Sequence, residues 1–158
     1  MTLARGAKAV QSFLSSSSLT TDAVLSILHL ASVIEDNMDG TSGAIYSIFF
    51  ASLASALRSA PAGELSAESW TKVAVDALKQ LQSATPARKG DRTLMDALEP
   101  FVEALQGGKG VKEAVEEARK GKETTKGMKA AFGRAVYVEE SAWKEVPDPG
   151  AEGVVAIV

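Results

Sequence analysis

The chain has no cysteine and a single histidine, His29, among its 158 residues. Without cysteine there are no disulfides and no thiolate metal sites, which fits a reducing compartment. With one histidine, neither a His-ligated zinc site nor a His-triad can be assembled within the chain. The net charge is only −3, so no general attraction to nucleic acid or to an anionic membrane is expected. No run is expected to be long and apolar enough to span a bilayer, because the greasiest, Ala44 to Leu57, is short and broken by serines. Met1 is followed by neither a basic region nor an apolar run, so no signal peptide is visible and a cytoplasmic location is expected. No stretch alternates as a half-buried strand would, and neither a repeat nor a second domain shows.

What is present is an ordinary globular balance, with 46% apolar and 23% charged residues. The length suits one domain over 1–158. Apolar spacing is helical nearly throughout. A first helix is expected from Thr2 to Leu14, with Leu3, Ala7, Val10 and Leu14 on one face. The serine run from Ser15 to Ser18 breaks it, since serine hydroxyls compete for backbone hydrogen bonds. Thr20 or Thr21 can cap a second helix with Asp22 in its first turn. A third helix is expected from near Thr41 to Ser59, with Pro61 and Gly63 closing the connection. A fourth is capped by Ser66 and has Trp70, Val73, Ala77, Leu78 and Leu81 on its apolar side. A basic loop from Thr85 to Gly90 leads into a fifth helix from Asp91 or Arg92. After Gly107, Gly108 and Gly110, a charged helix, peripheral or partly exposed, is expected from Val111 toward Met128. Gly133 to Gly150 reads as a long ordered loop before a last helix from Ala151. The expected class is all-α, an antiparallel amphipathic helical barrel or bundle. His29, between Leu28 and Leu30, reads as structural or solvent-facing.

Three constellations could carry chemistry. Asp39-Gly40-Thr41-Ser42-Gly43 stands directly before a helix. Small residues admit close approach of a ligand, and the first helical N–H groups and the helix dipole favour an anion there. Thr41 and Ser42 add hydroxyl donors, while the plain alternative is a capped helix start. It is not a Walker loop, because no lysine follows the glycine. Lys89-Gly90-Asp91-Arg92-Thr93-Leu94-Met95-Asp96 again places a glycine ahead of a helix, with a capping motif and a solvated charge cluster as the alternative. Gly133-Arg134-Ala135-Val136-Tyr137 is followed by Pro147-Asp148-Pro149-Gly150-Ala151. Arginine suits phosphate through paired N–H groups, and Asp148-Pro149-Gly150 is a rigid turn that can open a helix.

In order, spacing and wording these segments resemble the L domain, the nucleotide-binding part, of dihydroxyacetone (glycerone) kinases. The resembling residues are Gly40 to Gly43, Gly90 to Met95, Gly133 to Tyr137 and Asp148 to Ala151, together with Thr2 to Gly6. The resemblance implies a barrel of antiparallel helices with ATP or ADP at one rim. It implies that Thr41 and Ser42, beside Gly40, hold phosphate oxygens and that Thr2 lies near the phosphates. It places Thr85 and Leu94 against the nucleoside, and Arg134, Asp148, Pro149 and Gly150 at the rim. Leu94 stands where methionine is common, a mild exchange. Asp39 replaces a usual glycine, and would repel phosphate or meet a cation.

The family's aspartate-rich loop, which holds two Mg2+ ions, lies immediately before the position matching Met1. No residue of this chain is therefore assigned as a metal ligand or as catalytic. Ala151 to Val158 is only about two helical turns, and Leu3 already lies inside a periodic pattern. Both ends are expected to be cuts into a larger domain, inactive alone. The implied reaction is phosphoryl transfer from ATP to dihydroxyacetone held by a separate K domain, on the same or another chain. Two alternatives are a non-catalytic module docking to a K-domain partner and an ADP-carrying subunit of a phosphotransferase-linked system. No nucleic acid or membrane partner is expected, and a homodimer through the full-length protein is left open.

Overall fold

The computed structural model describes residues 2–16, 19–60, 65–132, 134–137 and 139–158, apart from the side chains of residues 134, 135, 140 and 142. Ser17, Ser18, Pro61, Gly63 and Gly133, used in reading the sequence, lie outside the described residues. Every regular element among the described residues is helical, which bears out the all-α class. The chain divides after Ala84 into two compact units.

The first unit holds α1 (Thr2–Ser15), α2 (Ala23–Asn37), α3 (Gly40–Arg58) and α4 (Ala67–Ala84). Asp22, rather than a threonine, caps α2: its Oδ1 accepts from the Val24 and Leu25 N–H groups at 2.8 and 3.2 Å. Thr20 sits two residues outside, where its hydroxyl accepts from the Asp22 N–H at 3.2 Å. A carboxylate meets the positive end of the helix better than a hydroxyl does, so the cap falls on the acid. Ser66 caps α4 as expected, accepting from the Ser69 N–H at 3.2 Å. The apolar side of α4 buries Val73, Ala77, Leu78 and Leu81, but Trp70 is largely exposed. Ala56, Leu57 and Val73 form a core on which Val24, Ile27, Leu53 and Leu65 pack.

Helix α3 corrects one expectation. Counted from Gly40 it has 19 residues and is, by length and composition, long and apolar enough to cross a membrane. Here it packs against α2 and α4 and buries Tyr46, Ser47, Ser52, Ala54, Ala56 and Leu57. The Ser47 hydroxyl donates to the Ala44 carbonyl at 3.0 Å, which satisfies it inside the helix. Two glycines set how closely the chain folds here, both against Met38. A Cβ on Gly6 would stand 2.3 Å from the Met38 Cγ, and one on Gly43 only 1.8 Å from the Met38 carbonyl oxygen.

The second unit holds α5 (Met95–Gln106), α6 (Val111–Thr124), a 3-10 turn (Arg134–Tyr137), the short α7 (Glu140–Trp143) and α8 (Pro149–Ile157). Two stretches differ from the sequence reading. The stretch 133–150, expected as a loop, contains the 3-10 turn and α7, while α8 opens at Pro149, on the turn expected to be able to open it. Helix α6 ends at Thr124, short of Met128, and is partly exposed, as one of the two expectations had it. It buries Ala114, Ala118 and Gly121, and its charges occupy the other side. Small side chains contribute little to an apolar count, yet they let two helices approach closely. A Cβ on Gly121 would lie 1.9 Å from the Asp96 carbonyl oxygen. Pro100, inside α5, has no N–H to offer that carbonyl.

Helix α5 begins at Met95, three or four residues later than expected. The reason is the buried Asp96 carboxylate. It accepts from the Gly90 N–H at 2.6 Å and from the Thr93 N–H at 2.8 Å, holding residues 90–93 in an open loop. Gly90 and Arg92 both have positive φ, 101° and 57°, which no helix accommodates.

Candidate functional site

The glycine-rich loop lies in the first unit. Asp39 is the residue before α3, but its side chain makes no capping hydrogen bond to the first turn. Its carboxylate is turned instead onto the Arg5 guanidinium, whose Nε also donates to the Asn37 carbonyl at 2.7 Å. The cation expected to meet Asp39 is thus supplied by α1. Gly40 adopts φ 74°, a left-handed turn that brings the chain into α3. Thr41 is exposed, Ser42 is half-buried and Gly43 is jammed against Met38, so the first turn of α3 is fixed in place. Thr2 is half-buried one helical turn before Arg5. The result is a helix start whose N–H groups and two hydroxyls receive no cap from Asp39, a form suited to an anion.

The second unit brings together Arg92, Leu94, Asp148 and Gly150. Leu94 is buried, and a Cβ on Gly150 would stand 3.2 Å from the Leu94 backbone nitrogen and from its Cβ. Asp148 caps α8, accepting from the Ala151 N–H at 3.0 Å. Pro149 follows at the first helical position, as the rigid turn led us to expect. The Asp148 N–H donates to the hydroxyl of Thr125, a fully buried residue at the end of α6. Burial pushes the Asp148 carboxyl above the ordinary aspartate value, though the Ala151 N–H and the Arg92 guanidinium pull it back.

The alternative of a solvated charge cluster for the motif of residues 89–96 does not hold at Arg92, which is 3% exposed. Its NH2 group donates to the Trp143 and Val146 carbonyls at 3.2 and 2.9 Å, and its NH1 stands 3.9 Å from Asp148. The guanidinium lies 5.1 Å over the Trp143 ring. Its Nε is buried with no hydrogen-bond partner among the described residues. A non-glycine residue held at φ 57° costs roughly 1–3 kcal/mol and persists only when its surroundings over-determine it. Arg92, Asp96 and Thr125 escaped the reading of the sequence. The first two lie inside a quoted motif, and nothing in the pattern marked them as buried; Thr125 carries no sequence signal.

The remaining residues fall in place as follows. The Thr85 hydroxyl accepts from the Ala87 N–H at 3.2 Å, shaping the loop into the second unit. Arg134 opens the 3-10 turn, and its side chain lies outside the described residues. His29 is exposed and meets the Phe13 ring edge-on at 6.1 Å. Among the described residues no three His, Asp or Glu side chains gather as a metal site.

These features define an all-helical domain with a glycine-opened helix start and a second, aspartate-capped one. The sequence profile of the DAK2 domain matches residues 1–158. The chain belongs to the DAK2 domain family. It is 42% identical to dihydroxyacetone kinase 2 of Saccharomyces cerevisiae over 99% of its own length and 28% of that protein's. It is 32% identical to the human triokinase/FMN cyclase, with the same coverage of each. Among solved structures it resembles the dihydroxyacetone kinase from C. freundii in complex with AMP-PNP and Mg2+. The TM-score there is 0.72 at 25% identity, covering 99% of this chain and 26% of that one. The chain therefore spans little more than a quarter of the length of the relatives it matches.

Proposed function

We propose that residues 1–158 are a single nucleotide-binding domain of a dihydroxyacetone kinase, serving phosphoryl transfer to a ketose held by a K-domain partner. The observation that carries this is the likeness, over 99% of the chain, to a kinase solved with AMP-PNP and Mg2+. The local chemistry supports it. Gly40, Thr41 and Ser42 offer backbone and hydroxyl donors to phosphate oxygens, and Thr2 lies in the same unit. Leu94 supplies an apolar contact for the nucleoside, with Thr85 in the loop leading to it. By the resemblance to the family, Arg134 would grip phosphate, and Asp148, Pro149 and Gly150 would form the rim turn.

Magnesium does not fit the described residues. No three His, Asp or Glu side chains gather there as a metal site, and Asp39, the acid beside the proposed phosphate donors, is engaged by Arg5. Charge neutralisation by metal dominates phosphoryl transfer, so we assign these residues to nucleotide binding and not to the transfer step. The chain alone is expected to be inactive.

Calorimetric titration with ADP, with and without magnesium, tests this. Weak binding with little magnesium dependence is expected, lost in part in Thr41→Ala and Arg134→Ala. No binding at millimolar ADP would sink the reading. Tight, magnesium-dependent binding would show that metal ligands have been missed.

A further inference from the structure

The backbone at residue 92 suits glycine, yet the sequence puts arginine there and buries it. The side chain must then be what the position requires. Its reach explains why. From the loop ahead of α5 it crosses to carbonyls 51 and 54 residues further along the chain, at Trp143 and Val146, and stands beside Asp148. Two of those contacts flank the segment that delivers Asp148-Pro149-Gly150. On the loop side, Leu94 follows Arg92 by two residues and packs on Gly150.

We propose that Arg92 is a positioning residue for nucleotide binding, fastening residues 143–148 so that the Asp148-Pro149-Gly150 turn stands correctly against Leu94. This rests on the nucleotide-binding function proposed above. In this role Arg92 need not touch the nucleotide. It acts through two carbonyls, a carboxylate and the Trp143 ring. A lysine ammonium carries three donors but lacks the planar fork, so it would hold these partners less rigidly. The Nε, without a partner among the described residues, points the same way: the side chain is held for where it places its neighbours, at some expense of its own hydrogen bonding.

The test uses the whole chain and ADP as the probe. In the native chain, 15N NMR should show the Arg92 Nε–H as a slowly exchanging signal. Addition of ADP should shift it, together with the amides of residues 144–151. In a Trp70→Phe background, Trp143 becomes the sole tryptophan. Arg92→Lys and Arg92→Gly should then red-shift its emission, speed exchange at the Asp148 and Ala151 amides, and weaken ADP binding about tenfold or more. Arg92→Gly relieves the backbone, so weakening there assigns the effect to the guanidinium. If ADP binds the native chain but leaves the Arg92 and 144–151 signals unmoved, the positioning role is overturned. Folded variants that bind ADP like the native chain would overturn it too. If the native chain itself fails to bind ADP, the function proposed above fails, and this role with it.

Discussion

The Thr125 hydroxyl donates to the Lys122 carbonyl at 2.6 Å and accepts from the Asp148 N–H at 2.7 Å. One buried oxygen thus joins the end of α6 to the cap of α8. Thr125→Val keeps the shape and leaves the Asp148 N–H without an acceptor, which should cost about 1–3 kcal/mol. Urea denaturation should show the midpoint falling, with Thr125→Ser restoring most of it. Thr124→Val, at an exposed neighbour, should stay within about 0.5 kcal/mol of the parent. Equal effects at both positions would refute the special role of Thr125.

Gly43→Ala offers a sharper steric test. In an open helix the change would stabilise by about 0.5–1 kcal/mol. Here the new methyl would meet the Met38 carbonyl oxygen, a backbone atom that no rotamer change can move. A net loss of more than about 2 kcal/mol is expected. Gly6→Ala meets only the flexible Met38 side chain and should cost less. Thermal denaturation of the two variants gives the order, and the reverse order would contradict the packing described.

Asp148 ties stability to pH. Its folded carboxyl holds a proton more readily than an unfolded aspartate, because it is buried. Its stabilising contribution is therefore fully present below the ordinary aspartate value of 3.8 and is lost as pH rises through the raised folded value. Asp148→Asn retains a capping acceptor and removes the titration. The parent should lose stability relative to this variant as pH climbs from the ordinary value through the folded one. Parallel curves across that window would show that burial does not govern this group.

Arg5 and Asp39 bear on the anion seat. At the proposed anion seat Asp39 would repel phosphate, and Arg5, paired with it, would offset that repulsion. Both side chains are exposed, so the energies are small, about 1 kcal/mol or less, and salt-sensitive. Asp39→Asn should tighten ADP binding by roughly two- to fivefold at low salt, and Arg5→Ala should weaken it similarly. In the Asp39→Asn background, part of the Arg5→Ala effect should vanish. Titrations at two salt concentrations measure all four combinations, and strict additivity would deny the coupling.

Helical periodicity determined the all-α class and most helix bodies, because apolar spacing is a local property that one chain segment displays on its own. Local chemistry likewise marked the Ser66 cap, the Gly40 helix start and the opening of α8 at Asp148-Pro149. The motif wording around Gly40, Gly90 and Asp148 was enough to point to the kinase family. Other features depended on residues far apart in sequence. The delayed start of α5 follows from one carboxylate, Asp96, being buried where it draws in the Gly90 and Thr93 amides. Helix α6 comes closest to α5 at Gly121, against the Asp96 carbonyl to which Pro100 has no N–H to give. Asp39 is turned away from its own helix because α1 carries Arg5 to it. Arg92 looked like one more surface cation, since charge in a sequence signals solvent unless the partners are known. Its partners, Trp143, Val146 and Asp148, lie more than fifty residues away, and only the folded chain brings them to it.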